Sequence, residues 1–195
     1  MKQGQQLQLE RCPHCNVAHP FIRHQWTGVS KDHSGTNDRL WVVYCCGTCG
    51  GMLLATSPNG GNGDITEIWP SPQVVPDTLP QRARDFLSQA ISSLHAPSGA
   101  VMLTASAVDA MLKEKGYKTG SLNARIDQAA KDHLITEEMA TWAHEIRLDA
   151  NDQRHADETA PLPSDTDAKK VIEFANALAQ FLFALPARVE RGRTT

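Results

Sequence analysis

The chain has 195 residues, of which 41% are hydrophobic and 21% charged, and its formal net charge is −3. Such a length fits one medium domain or two small ones, and the composition is that of an ordinary globular protein. It excludes a membrane span, since the longest apolar runs, Leu40–Tyr44 and Phe181–Leu185, fall far short of the ~20 residues a helix needs. It also excludes strong nonspecific DNA binding, because no basic block is present apart from Arg188, Arg191 and Arg193 near the end.

In chain order, Met1-Lys-Gln-Gly-Gln-Gln is polar and lacks the pattern of a secretory signal. The five cysteines all fall in the first quarter, and an odd number fits metal binding in a reducing compartment better than a disulfide framework. A cytoplasmic location is expected. Residues 8 to 70 read as β. Leu40-Trp-Val-Val-Tyr44 and Gly51-Met-Leu-Leu-Ala-Thr56 are strand-like, Ser57 to Gly63 is a turn cluster, and Ile65-Thr-Glu-Ile-Trp69 returns as a short strand.

Two C-x2-C steps lie in this region, Cys12-Pro-His-Cys15 and Cys46-Gly-Thr-Cys49. Together they supply the four thiolates of a closed, structural Zn2+ site. Proline after Cys12 and glycine after Cys46 and Cys49 favour the tight turns that aim two sulfurs at one ion. The separation of the pairs exceeds the commonest ribbon spacing. Cys45 on a strand would point away from its neighbour and reads as packing, although it could exchange with Cys46. His14 reads as exposed. The expectation is a zinc ribbon over residues 1–70, too small to fold without its metal.

Pro70 to Pro80 contains four prolines, which predicts an extended linker over 71–80. Residues 81–195 then read as a helical bundle, making the fold class α+β. One helix runs from Pro80 to about His95. A second spans about Ser98 to Lys115, with Val101, Thr104, Val108 and Met111 on one stripe and Gly116 as its stop. Ser121 opens a third, with Leu122, Ile126, Ala129 and Ala130 on it. Thr136, followed by Glu137 and Glu138, opens a fourth, with Met139, Trp142, Ala143 and Ile146 inward. Ser164 with Asp165 and Asp167 opens the last. There Val171, Ala175, Leu178, Leu182 and Leu185 repeat at helical spacing, and Pro186 ends or kinks the helix.

On the fourth helix Arg147, Asn151 and His155 are successive i+4 neighbours and share a face if the helix continues that far. A guanidinium and an imidazole leaning together could hold one phosphate and move a proton, with the amide orienting either. The same residues also admit an architectural reading. Asn151 and Asp152 can end a helix, His155 can satisfy carbonyls, and Arg147 can pair with Glu145 or Asp149. His144 reads as an ordinary half-buried histidine. The chain shows no Walker loop, dinucleotide fingerprint, nucleophile elbow or H-E-x-x-H helix.

The ribbon, the stretches Ala105–Gly116, Leu122–Asp127 and Leu134–Glu138, and Trp142–Asp152 with His155 resemble the family called domain of unknown function 4145. The Asn-Asp-x-x-His element and Leu185-Pro-Ala-Arg188 carry the likeness furthest. That family is similar to the HEPN superfamily, which implies a helical bundle that often forms a homodimer. It also implies RNA as a ligand class, often in antiphage systems. The HEPN ribonuclease motif is an arginine, four to six residues, then a histidine. Here His155 matches the histidine and Asn151 the polar position, while Ala150 stands where the arginine usually does. Arg147 is separated from His155 by seven residues. The expectation is therefore a zinc-binding, HEPN-like module for RNA or a protein partner in bacterial defence or stress. The alternative is a metal-independent endoribonuclease completed by dimerisation.

Overall fold

Alternation of apolar and polar residues gives the first part of the chain a sheet with one buried face. Its strands are β1 (Gln6–Leu7), β2 (Ile22–Ser30), β3 (Arg39–Cys46), β4 (Met52–Pro58) and β5 (Glu67–Trp69). They pair in sequence order, antiparallel throughout. The computed structural model describes residues 1–61, 64–72, 75–145 and 161–193. The chain divides into two compact units, Met1–Val74 and Val75–Thr195.

In the sheet unit Leu7, Ile22, Val42, Tyr44, Leu53 and Ala55 form the core, with Leu9, Leu40, Ile65 and Ile68 packed against it. Tyr44 anchors the amino-terminal segment: its Oη donates to the Gly4 carbonyl at 3.2 Å and accepts the Gly4 N–H at 3.3 Å. A core this small is of the kind that small domains commonly supplement with a disulfide or a structural metal. Strand β2 has no clear alternating pattern of its own. Only Ile22 in it is buried, and a bulge between His24 and Trp26 breaks its alternation.

The helical unit comprises α1 (Gln81–Ser92), α2 (Pro97–Glu114), α3 (Leu122–Lys131), α4 (residues 137–145), α5 (Asp165–Ala179) and α6 (Leu185–Arg193). The starts follow from local chemistry. Pro97 occupies the first turn of α2, where its missing N–H costs nothing. Ser121 accepts from Ala124 N–H, and Thr136 Oγ1 from Met139 N–H at 3.2 Å. Ser164 and Asp167 form a reciprocal capping box. Gly116, at φ 102°, stops α2 in a conformation open to few other residues.

Helix α2 contributes eight buried residues to the core, among them Val101, Thr104, Val108 and Met111 of the predicted stripe. Much of the remainder is alanine, including Ala83, Ala90, Ala129, Ala168, Ala175 and Ala179, which lets helix axes approach closely. Phe174 is fully buried and meets Trp142 edge-to-face at 4.9 Å. Arg125 of α3 pairs with Asp109 of α2 and donates to the Gly120 carbonyl at 2.7 Å. The proline-rich stretch is not all exposed: Leu79 belongs to this core and Val75 packs on it.

One expectation about the last helix is corrected. The stripe Val171, Ala175, Leu178 and Leu182 is buried as predicted, but Leu185 is 47% exposed. A π-turn over Gln180–Ala184 intervenes, where Leu185 N–H bonds to the Gln180 carbonyl five residues back. The widened turn inserts one residue, which rotates everything beyond it by about 100°. It also lets the chain remain helical through Pro186, which has no N–H to give and would crowd the carbonyl four residues before it.

Candidate metal centre

The two cysteine pairs fold as copies of one another. In the first, Cys12 N–H donates to the Val17 carbonyl at 3.1 Å and Asn16 N–H to the Cys12 carbonyl at 2.9 Å. In the second, Cys46 N–H donates to the Gly51 carbonyl and Gly50 N–H to the Cys46 carbonyl, both at 2.9 Å. The residue after each second cysteine, Asn16 or Gly50, has positive φ, at 58° and 72°. Glycine reaches that region freely and asparagine is the commonest substitute. Asn16 is therefore the first knuckle's counterpart of Gly50, a signal present in the sequence but masked by its different residue type.

These turns bring the Sγ atoms of Cys12, Cys15, Cys46 and Cys49 all within 4.8 Å of one another. Cys12 Sγ and Cys49 Sγ, one from each knuckle, are 4.0 Å apart. A tetrahedral site with Zn–S bonds of about 2.3 Å has sulfur–sulfur edges of roughly 3.8 Å. The cluster thus has the donor number and size for a metal ion of this kind. Cys12 and Cys46 are buried, Cys15 and Cys49 exposed. Cys45 is outside the group, and its Sγ lies against the carbonyls of Cys46 and Gly50.

The electrostatics of four crowded thiols fit the same purpose. Burial pushes the Cys12 thiol up to about 12, against the pull of the Cys15 and His14 amides. Burial also opposes ionisation at Cys46. There the amides of Cys49 and Thr48, with the thiols of Cys12 and Cys49, outweigh it and bring the group down to about 7. The Gly51 amide favours the Cys49 thiolate, yet burial and the Cys15 and Cys46 sulfurs raise it overall. One thiolate is welcome and its charge then resists the others, an opposition a bound cation removes.

His14 is exposed and is not one of the four. Its Nε2–H donates to the Met52 carbonyl at 2.8 Å, tying the first knuckle to the strand that leaves the second. Only the tertiary pairing reveals that link. The polar stripe of the sequence, Arg147, Asn151 and His155, lies outside the described residues, as do Ile146, Asp149, Ala150 and Asp152. Just before it, His144 bridges to α3, with its ring nitrogens 3.0 Å from Asn123 Oδ1 and 2.8 Å from Asp127 Oδ1.

A model of the family described as Domain of unknown function (DUF4145) matches residues 88–194. The chain belongs to that family. The DUF4145 match begins within α1 and reaches past α6, so it lies within the helical unit and leaves out residues 75–87. The four cysteines precede it, and the ribbon part of the resemblance is outside the matched segment. Comparison with curated proteins and with solved structures gives no match. Among the described residues no helix is long and apolar enough to cross a membrane.

Proposed function

We propose that this DUF4145 protein is a zinc-clamped, HEPN-like module that binds RNA, acting as a homodimer in the bacterial cytoplasm during defence or stress. The observation that carries the clamp is the group of four sulfurs within 4.8 Å of one another. Four thiolates fill a zinc tetrahedron and leave no position for substrate, so the metal's contribution is to stability. Cys12, Cys15, Cys46 and Cys49 would hold it, and the six-residue sheet core is of a size that needs such help. RNA as the ligand is supported by the family's resemblance to HEPN bundles, in which His155 and Asn151 match the motif while Arg147 stands outside its usual window, and by the i+4 spacing of the three residues. In that reading Arg147 holds a phosphate, His155 contacts or protonates it, and Asn151 orients one of them.

Metal analysis should return about one zinc per chain, released by Cys12→Ser or Cys46→Ser. RNA affinity should fall in both Arg147→Ala and His155→Ala; unchanged affinity in both would remove the stripe from the reading. The endoribonuclease alternative is decided by incubating the protein with structured RNA in EDTA. Cleavage abolished by His155→Ala would make it an enzyme, and intact RNA at high protein concentration would leave it a binder.

A further inference from the structure

The face of the sheet opposite its core carries three of the chain's four tryptophans. Register puts Trp26, Val43, Leu54 and Trp69 in one cross-strand row, and Gly28, Trp41, Thr56 and Glu67 in the next. Directly paired residues share a face, so both rows lie on the side away from Val42, Tyr44 and Ala55. Two contacts place the indoles on this face. Trp26 leans over Gly28, where an added Cβ would lie 2.0 Å from its ring. Position 28 is opposite Trp41, so Trp26 is carried towards the Trp41 ring. Trp41 in turn stacks with Trp69 at 6.0 Å and 27°, across β4. Thr56, between those two in the register, is buried, and its Oγ1 has no hydrogen-bond partner among the described residues. Trp41 Nε1–H donates to Ser30 Oγ at 2.6 Å, which fixes its ring.

The result is an aromatic belt running across the strands, with Trp26 56% and Trp69 39% exposed. Exposed aromatic side chains grouped on one face are a feature that binding surfaces share. Its flanks point to the class of ligand. The row on one side is Ser30, Arg39 and Pro58, and the row two steps away on the other is Arg23, Cys45 and Met52. Arg23 and Arg39 are exposed, and about 20 Å of strand separates their rows. Glu67 lies on this face, and Asp32 and Asp38 line one groove with Arg39 and Glu67, where Lys31 pairs with Asp38. A flat aromatic surface between two guanidinium groups suits a chain of planar rings joined by anions. A duplex, whose bases are already stacked, would gain nothing from the indoles.

We infer that this belt is a stacking platform for single-stranded RNA, with bases on Trp26, Trp41 and Trp69 and phosphates at Arg23 and Arg39. The inference rests on the RNA-binding reading above and assigns part of that binding to the sheet unit. The test is fluorescence titration of the metal-loaded full-length protein with a single-stranded RNA of mixed sequence, and with the matching DNA strand. Saturable tryptophan quenching is expected, weakened about tenfold or more by Trp26→Ala. Arg39→Ala should weaken binding and flatten its salt dependence. Trp142→Phe, in the helical unit, should leave affinity within twofold. Gly28→Ala, which displaces the indole without deleting it, should follow Trp26→Ala, with zinc content and circular dichroism confirming the fold. RNA binding unmoved by Trp26→Ala, Gly28→Ala and Arg39→Ala would overturn the platform while leaving RNA recognition to other residues. Absence of RNA binding would overturn both. Tighter binding of the DNA strand, or a dimer dissociated by Trp26→Ala without RNA, would reassign the face and overturn the inference.

Discussion

His14 and Gly51 are in a contact that glycine alone permits: a Cβ at position 51 would lie 2.4 Å from Cδ2 of His14 and 2.9 Å from its Cβ. Because the crowding reaches the base of the histidine side chain, rotation of the ring does not relieve it. Gly51→Ala should therefore separate the knuckles and speed metal loss to a chelator by about tenfold, a cost of ~1.4 kcal/mol. His14→Ala removes only the bond to Met52 and should cost about 0.5–1.5 kcal/mol. Competition with a chromogenic chelator measures both, and metal loss from Gly51→Ala at the wild-type rate would contradict the geometry.

Phe174→Ala should be the most damaging single truncation in the helical unit. The ring is fully buried and loses its edge-to-face contact with Trp142. A loss of ~3–5 kcal/mol is expected from transfer and cavity effects. Urea denaturation followed by circular dichroism would show it, while zinc content should stay at the wild-type level.

Asp109→Ala should destabilise the same unit by about 1.5–3 kcal/mol, the range for hydrogen bonds to charged groups. It leaves the Arg125 guanidinium with its bond to the Gly120 carbonyl but without its counter-ion; the side chain is 11% exposed, and its Nε has no hydrogen-bond partner among the described residues. Arg125→Met combined with Asp109→Ala should recover part of the loss, since the unpaired charge is then gone. A double mutant less stable than Asp109→Ala alone would show that packing, not charge, dominates there.

The start of α5 should be acid-sensitive. The Ser164 hydroxyl and backbone hold the Asp167 carboxyl below its ordinary value, with Lys170 adding to the effect. A carboxyl depressed by folding stabilises above its unfolded value and loses that effect as pH falls through the folded one. The contribution is thus complete near neutrality and disappears progressively below about pH 4. Ser164→Ala should lower the melting temperature by a few degrees at pH 7, with the difference shrinking by pH 2. A difference independent of pH would show that the cap acts without the carboxylate.

Local signals made much of this molecule legible in advance. The helix starts at Ser121, Thr136 and Ser164 depend on side chains within three residues, and the cysteine pairs on four, so their chemistry is visible in any short window. Longer-range features were not. Strand β2 owes its place to pairing with β3 rather than to its own pattern. The Trp26–Gly28 contact and the Trp41–Trp69 stack exist only once register is set. Leu185 continues the helical spacing of Val171, Ala175, Leu178 and Leu182 only in an unbroken α-helix, and one inserted residue at Gln180–Ala184 turns it outward. Asn16 carries no distinct sequence signal because its role belongs to backbone conformation, where asparagine can stand in for glycine.

The exposure of Cys15 and Cys49 carries a liability for the ion they would share. Oxidants can reach the outer sulfurs of the cluster, and joining Cys49 to its 4.0 Å neighbour Cys12 would take two donors from the ion at once. Peroxide would then act on this unit as a denaturant, expelling the metal and with it the cross-link its small core depends on. How long the sheet survives in a cell would be set as much by the surrounding reductants as by its own packing.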